Sequence, residues 1–423
     1  MKDYAKIILK NKLRLVVVPM KDVRSVTALI TVGTGSRYEE KRINGLSHFL
    51  EHMFFKGTKN RPSAIEISSI IDSIGGEFNA YTDRENTGYF IKAEASKGEL
   101  LVDMLSDMLQ NSLFAQAEID RERGVIIEEL NMYEDDPRRK IADIYEELLY
   151  GDHPLGWDVG GSKEIIKKIT KRDFLDYMDA RYVPNNMVIA LAGNISETKA
   201  RALTEKYMGN MISKPVTGYK KFDEKQNKPQ LRVQYKKTDQ AHVAVGVRAL
   251  PLIHKERFPL AVLNTILGVG MSSRLFINVR ERRGLAYYVF SHLNRYHDVG
   301  NLYAQAGVDL KRIDEAIKVI LEEFAKMAKV VVDEKEMTKA KDHIKGRMAL
   351  EREDTKSVAW AYGLSELLEG RVWTDDDIVA NIDKVTAESV LKVAKDVFKP
   401  ANLNLAVIGP FKEEARFKKL LKL

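Results

Sequence analysis

Hydrophobic and polar positions alternate near the start of the chain, and this pattern predicts strands. Residues 1–19 read as a first hairpin that turns at Asn11-Lys12. The stretch G-G-E-F-N-A-Y-T followed by T-G-Y-F-I-K-A-E-A predicts a second hairpin around Asp83 to Asn86. The first half of the chain therefore contributes strands to a mainly antiparallel sheet.

Between and after these strands the apolar spacing becomes helical. Ser63 and Glu66 form a capping-box pattern for a helix after Pro62. A long helix is predicted from about Gln116 to Glu134. Its apolar side is expected to carry five residues: Ile119, Val125, Ile126, Leu130 and Tyr133.

The two halves of the chain repeat one pattern. Y-V-P-N-N-M-V-I-A-L-A-G ends at Gly193, and the similar stretch F-K-P-A-N-L-N-L-A-V-I-G ends at Gly409. The pattern predicts an α+β fold with two homologous domains, each a mainly antiparallel sheet packed with helices and related by internal duplication. We expect domains at 1–212 and 230–423, joined by a polar linker at 213–229 that carries Pro and Gly.

Composition narrows the possible chemistry. The 423 residues include no Cys, which excludes disulfides and thiolate metal ligands, and 44% are hydrophobic, enough for two cores. The net charge of +7 comes from interspersed charges, so no nucleic-acid partner is expected. No apolar run approaches the roughly 20 residues of a membrane span, and residues 1–19 are expected to lack a signal-peptide core. A cytoplasmic location is the expectation.

The pentapeptide H-F-L-E-H carries the candidate chemistry. His48 and His52 are one helical turn apart, and Glu51 lies on the same side. Two imidazoles are good zinc ligands, but a catalytic zinc needs a third protein ligand and an open position for water. A carboxylate beside such a water can act as general base. The pattern predicts peptide hydrolysis, with Glu51 as the base.

The second half keeps the repeat but loses this motif. When Gly193 is aligned with Gly409, the positions equivalent to His48, Glu51 and His52 hold Asn264, Leu267 and Gly268. The fold therefore does not require the motif, and only the first half is expected to be catalytic.

The third ligand is expected on the long acidic helix. Its carboxylates include Glu118, Glu122, Glu128, Glu129 and Glu134. Glu122 and Glu129 share a face two turns apart, and Glu128 is turned about 100° from Glu129.

H-F-L-E-H-M-F-F-K-G-T, followed by E-R-G-V-I-I-E-E-L, resembles the inverted-motif zinc peptidases of the pitrilysin/insulinase family. The resemblance covers essentially the whole chain and extends to short two-domain bacterial members related to the mitochondrial processing peptidase. It implies one zinc ion per chain, with Glu129 as the third ligand and Glu122 as the residue that orients the site.

The same resemblance implies residues that bind substrate. Asn79 and Ala80 would lie on an edge strand along which a peptide is added. Arg280 and Tyr287, in V-R-E-R-R-G-L-A-Y-Y-V-F, would donate hydrogen bonds in the transition state. Because the family builds its chamber from four such domains, a homodimer is expected, with a paralogous subunit as the alternative partner.

The sequence therefore predicts a zinc metalloendopeptidase that hydrolyses peptides or unfolded segments in an enclosed chamber. Two alternatives remain open. One is a processing peptidase that removes targeting presequences. The other is a noncatalytic structural subunit with the same fold, which predicts the loss of a ligand or base.

Overall fold

A computed structural model describes residues 3–423. The strands are β1 (Ala5–Ile8), β2 (Arg14–Pro19), β3 (Ser25–Val32), β4 (Glu77–Thr82), β5 (Thr87–Glu94), β6 (Met187–Gly193), β7 (Gln230–Tyr235), β8 (Gln240–Ala249), β9 (Ala286–Arg295), β10 (Gly300–Asp309) and β11 (Leu403–Gly409).

The α-helices are α1 (Leu46–Met53), α2 (Ala64–Ser73), α3 (Gly98–Asn111), α4 (Gln116–Asp135), α5 (Pro137–Tyr150), α6 (Lys163–Ile166), α7 (Lys171–Arg181), α8 (Glu197–Met208), α9 (Arg257–Gly268), α10 (Ile313–Lys329), α11 (Glu334–Glu351), α12 (Thr355–Glu369), α13 (Asp375–Asp383), α14 (Ala387–Val397) and α15 (Glu414–Lys418). A π-helix spans Phe276–Glu281.

The first sheet has the strand order β1-β2-β6-β3-β5-β4. Only β2 and β6 run parallel, and the other neighbours are antiparallel. Both predicted hairpins are confirmed, with Lys12 at a positive φ of 67° in the first turn. One edge of the sheet is β4, which pairs with β5 on one side and with no other strand of residues 3–423.

The second sheet has the order β7-β11-β8-β10-β9, which repeats the order β2-β6-β3-β5-β4 of the first sheet without a counterpart of β1 in the described residues. Strands β2 and β6 correspond to β7 and β11 in the sequence repeat, and each pair runs parallel. The predicted α+β fold with an internal duplication is confirmed.

The chain folds into two compact units that differ from its two contiguous halves. Unit 1 contains the residues up to Leu130, Trp157–Lys220 and Met348–Asp375, and unit 2 contains Asn131–Gly156, Lys221–Arg347 and Asp376–Leu423. The boundaries 1–212, 213–229 and 230–423 stay a prediction about the sequence repeat. The compact units differ from these predicted domains chiefly in two segments. The segment with α5 belongs to unit 2, and the segment with α12 belongs to unit 1.

The two faces of the unit 1 sheet are covered by different parts of the chain. Helices of the first half pack on one face and form its main core. The other face is covered by α12, whose residues Val358, Ala359 and Tyr362 pack against Leu29 and Phe90.

Unit 2 is built in the same way, with α5 on its sheet. Ile141, Tyr145 and Leu149 of α5 form a buried cluster with Ala244 and Tyr303 of the strands. Helices α5 and α12 occupy equivalent places in the sequence repeat. Helix α5 belongs to the first half of the chain and covers the second sheet, and α12 belongs to the second half and covers the first sheet.

The first part of the predicted linker is fixed to unit 1 by side chains. The Ser213 hydroxyl donates to the Asn11 carbonyl, and the Arg181 guanidinium donates to the Thr217 carbonyl. Arg37 lies 4.0 Å from the ring centroid of Tyr219. This segment is therefore an ordered part of the unit.

Helix α4 confirms the predicted long helix, but its buried side differs from the expectation in one residue. Val125 is 49% exposed, whereas Ile119, Ile126 and Leu130 are buried. Glu122 takes the buried place, because residues 119, 122, 126 and 130 follow a single helical stripe. Within residues 3–423, no helix combines the length and apolarity needed to cross a bilayer.

Candidate metal centre

Helix α1 begins after a glycine whose position leaves no room for a side chain. Gly45 has φ of 94°, and a Cβ there would lie 2.5 Å from the Gly160 carbonyl oxygen. The buried carboxylate of Glu39 accepts hydrogen bonds from the backbone N–H groups of Gly45 at 2.8 Å and Ser47 at 2.6 Å. The Asn44 amide also donates to Glu39, at 3.0 Å. These bonds satisfy the start of the helix.

The two sides of α1 have different chemistry. Leu46, Phe49, Leu50 and Met53 are fully buried in the main core of unit 1. The opposite side carries His48, Glu51 and His52, which are all partly exposed. The apolar side therefore fixes how the three polar residues of the motif are presented.

Helix α4 brings two glutamates to this polar side. The Oε2 atom of Glu129 lies 3.7 Å from His48 Nε2 and 3.4 Å from His52 Nε2. The two histidine Nε2 atoms are 3.3 Å apart. Within residues 3–423, these three side chains form the only cluster of three His, Cys, Asp or Glu residues that could hold a metal ion, and it includes Glu129 rather than the exposed Glu128.

The spacing of these atoms suits zinc. Bonds of about 2.1 Å at tetrahedral angles place ligand atoms roughly 3.4 Å from one another. The observed separations of 3.3, 3.4 and 3.7 Å match this value. Two nitrogens and one carboxylate oxygen also leave the fourth position free, as a catalytic zinc requires.

Glu122 connects the cluster to a cation. Its Oε1 lies 2.9 Å from His52 Nδ1, and its Oε2 lies 2.6 Å from Lys56 Nζ. Burial would raise the pKa of Glu122, but these two hydrogen bonds outweigh it and hold the pKa below its usual value. Burial likewise opposes protonation of His52, and hydrogen bonds to Glu122 and Glu129 overcome it and raise the pKa to about 9.

Glu51 is bonded to the edge strand of the sheet. The Thr82 hydroxyl, at the end of β4, donates to Glu51 Oε2 at 2.5 Å. Burial raises the pKa of Glu51, while the hydrogen bond from Thr82 acts in the opposite direction. A carboxylate with a raised pKa is better matched to proton transfer near neutral pH.

Asn79 and Ala80 lie on β4, shortly before Thr82 on the same strand. The Ala80 N–H donates to the Asn79 side-chain oxygen at 2.9 Å. Asn79 is exposed and Ala80 half-buried. The predicted substrate strand is thus an open sheet edge connected through Thr82 to the carboxylate of the motif.

Arg280 and Tyr287 belong to unit 2. Arg280 lies in the π-helix, 4.8 Å from the ring centroid of Phe276, and Tyr287 of β9 is 78% exposed. Both line a cavity of about 620 Å³. Tyr288 points away and bonds to His242 at 2.9 Å, which agrees with the alternation of side chains along a strand.

Sequence reasoning missed three residues whose side chains bond to the motif, to the start of its helix or to Glu122. Lys56 follows His52 by one turn, so its spacing was a usable signal. Glu39 and Thr82 are 6 and 31 residues from Gly45 and Glu51. Separations of 6 and 31 residues correspond to no helical or strand spacing that would predict a contact.

Family models match two parts of the chain. The model described as insulinase, peptidase family M16, matches residues 15–161, and the model described as the peptidase M16 inactive domain matches residues 168–344. A protein of Bacillus subtilis named an uncharacterized zinc protease is 37% identical over 402 residues, covering 95% of this chain and 97% of that protein. The chain belongs to peptidase family M16.

Further relatives match nearly the full length of the M16 chain. A Streptomyces coelicolor protein, also named an uncharacterized zinc protease, is 36% identical over 412 residues, covering 96% of this chain and 89% of that protein. Two crystal structures share the fold. A protease from Helicobacter pylori has a TM-score of 0.90 at 24% identity, covering 96% of this chain and 99% of that chain. A peptidase M16 inactive domain from Pseudomonas fluorescens has a TM-score of 0.90 at 17% identity, covering 97% and 99%.

Glu39 should make stability depend on pH. Burial raises its pKa from 4.5 to about 7, against the effect of its hydrogen bonds. The carboxyl group binds its proton more tightly in the folded state, so its stabilising contribution is complete below pH about 4.5 and is lost as pH rises through about 7. At about 1.4 kcal/mol per pKa unit, the loss is at most about 3.5 kcal/mol.

Urea unfolding of the metal-free protein between pH 4 and 8 measures this effect. The decrease in unfolding free energy between pH 4 and 8 should be smaller in Glu39→Gln than in wild type. It should equal the wild-type decrease in Glu40→Gln, whose side chain is exposed. Equal pH slopes for wild type and Glu39→Gln would contradict the prediction.

Thr82→Val should lower the turnover number for a peptide substrate roughly ten- to hundred-fold. The substitution removes a hydrogen bond to a carboxylate, a contact that contributes about 1.5–3 kcal/mol, while it nearly conserves side-chain volume. Zinc content should stay at the wild-type value, because the hydrogen bonds of the Thr82 hydroxyl within residues 3–423 go to Ser47 and Glu51 and not to the three clustered residues. Thr82→Ser should restore most of the rate, and a Thr82→Val enzyme with wild-type turnover would exclude this role.

Proposed function

We propose that the chain is a zinc metalloendopeptidase that hydrolyses peptides or unfolded segments. His48, His52 and Glu129 would hold one zinc ion per chain. The observation that supports the proposal is the convergence of three ligand atoms within 3.7 Å of one another. The carboxylate of Glu51 lies on the same side of α1 and is not one of the three.

When bound, zinc polarises the scissile carbonyl and lowers the pKa of the attacking water. Glu51 would act as general base toward the attacking water and would then donate that proton to the leaving amine. The hydrogen bond that the Thr82 hydroxyl donates to Glu51 Oε2 would orient the carboxylate for these transfers. Glu122 would accept a hydrogen bond from the Nδ1–H group of His52, which would leave the Nε2 lone pair available to the metal.

A substrate would be bound as an added strand along β4. Its backbone would replace the Asn79 side chain as the acceptor for the Ala80 N–H. Binding through main-chain hydrogen bonds depends little on the amino-acid sequence of the substrate. The proposal therefore favours many unrelated peptides over one defined cleavage site.

Arg280 and Tyr287 are proposed to donate hydrogen bonds to the oxygen that becomes negative in the transition state. Their exposure beside a cavity in unit 2 is compatible with this role. A homodimer is proposed to complete the chamber, with these residues of one copy serving the other copy. The cytoplasm remains the proposed location.

The experiment that tests the proposal compares wild type with Glu51→Gln on mixed peptides of roughly 10 to 40 residues. Both proteins should bind zinc, and Glu51→Gln should lose at least about a hundred-fold in rate, because proton transfer contributes that much or more. Zinc content is measured on the same preparations. Cleavage of many peptides by wild type supports the degradative function, and a single site within a presequence supports a processing peptidase. Bound zinc without cleavage would favour a noncatalytic subunit.

Glu129→Gln should lower zinc affinity strongly, because a neutral amide replaces the only anionic group of the ligand set. Glu128→Gln is the matched control, with the same chemical change one position earlier on an exposed part of α4. Titration of each metal-free protein against a zinc chelator measures the two affinities. Equal affinities for the two variants would remove Glu129 from the proposed site.

A further inference from the structure

Lys56 lies at a fixed position directly after the helix that carries the motif. Its backbone N–H donates to the Met53 carbonyl at 3.1 Å, which continues the helix by one turn. The chain then turns at Gly57, where φ is 117° and a Cβ would lie 2.5 Å from the Pro62 carbonyl oxygen. The side chain therefore starts from a rigid part of the backbone, one turn after His52.

The ammonium group of Lys56 contacts the carboxylate of Glu122, which also contacts His52 Nδ1. Its Nζ lies 2.6 Å from Glu122 Oε2, and the side chain is 25% exposed. The other oxygen of Glu122 lies 2.9 Å from His52 Nδ1. Glu122 itself is 3% exposed, so a negative charge there needs both partners.

We propose that Lys56 is a positioning residue for metal binding at His52. It holds Glu122 as an oriented carboxylate, and Glu122 in turn fixes the His52 ring with Nε2 directed at Glu129. Lys56 bonds to Glu122 and to neither Glu129 nor Glu51 among the described residues, so it acts through Glu122. The inference rests on the proposed zinc site and adds the residue that sets its affinity.

A simpler explanation is that Lys56 forms an ordinary surface ion pair. Such pairs contribute at most about 1 kcal/mol to stability and do not affect a neighbouring site. The burial of Glu122 argues against it, because removing one partner of a buried charge leaves the other without compensation. The two explanations differ in what they predict for zinc affinity.

The test measures the zinc dissociation constant of the metal-free protein by competition with a fluorescent chelator. Residues that orient a metal ligand typically change affinity by about 10- to 100-fold. Lys56→Met should therefore weaken zinc binding roughly tenfold, and Lys56→Arg should stay within about threefold of wild type because it keeps the charge. Lys59→Met, at an exposed lysine three positions further along the chain, should match wild type.

Two further measurements separate positioning from a general structural role. In a Glu122→Gln background, Lys56→Met should add less than about threefold, because the carboxylate through which it acts is gone. The melting temperature of each metal-free variant reports folding independently of zinc. Unchanged zinc affinity in Lys56→Met, or a full additive loss in the double variant, would overturn the inference. Failure of wild type to bind zinc would instead overturn the proposed function.

Discussion

The arrangement of the candidate metal centre depends on the cost of burying a charge at the contact between α1 and α4. Both helices bury apolar side chains in one core, yet α4 places Glu122 in its buried stripe. A carboxylate there is tolerated because an imidazole and an ammonium each occupy one of its oxygens. The same pairing fixes the rotation of α4 about its axis. Glu129, two turns later on that face, is thereby directed at the two histidine nitrogens.

The second copy of the fold shows what happens where this constraint is absent. In α9, the position equivalent to His48 is Asn264, whose side-chain oxygen accepts from the Ser291 hydroxyl at 2.6 Å. The position equivalent to His52 is Gly268, where a Cβ would lie only 2.4 Å from the Ser291 backbone nitrogen. Strand β9 therefore packs closely on this helix. Lys345, equivalent to Glu129, pairs with Asp383 instead. The duplicated topology persists, and the space for a metal does not.

Sequence patterns predicted the parts of the structure that depend on local spacing. The internal repeat indicated both sheets, and the period of the motif placed His48, Glu51 and His52 on one side of a helix. The assignment of Val125 to the buried side was wrong because hydrophobicity alone cannot reveal that a paired carboxylate takes that place. Thr82 could not be predicted, since its contact with Glu51 depends on how the sheet edge meets the helix. The exchange of α5 and α12 was also not predictable, because the repeat assigns each helix to a half and not to a sheet.

That exchange connects the half that carries His48, Glu51 and His52 to the second half of the chain. Val16, Leu29, Phe90 and Ala190 on the outer face of the first sheet are buried against α12, which lies far beyond the linker in the sequence. Without α12, this apolar face would meet water, at a cost of about 25 cal/mol per Å² exposed. The same helix carries Trp360, whose ring centroid lies 4.1 Å from that of Tyr81, the residue next to Thr82 on the edge strand. The duplicated half, which lacks counterparts of His48, His52 and Glu129, thus still supports the strand that carries Thr82, the residue bonded to the proposed base.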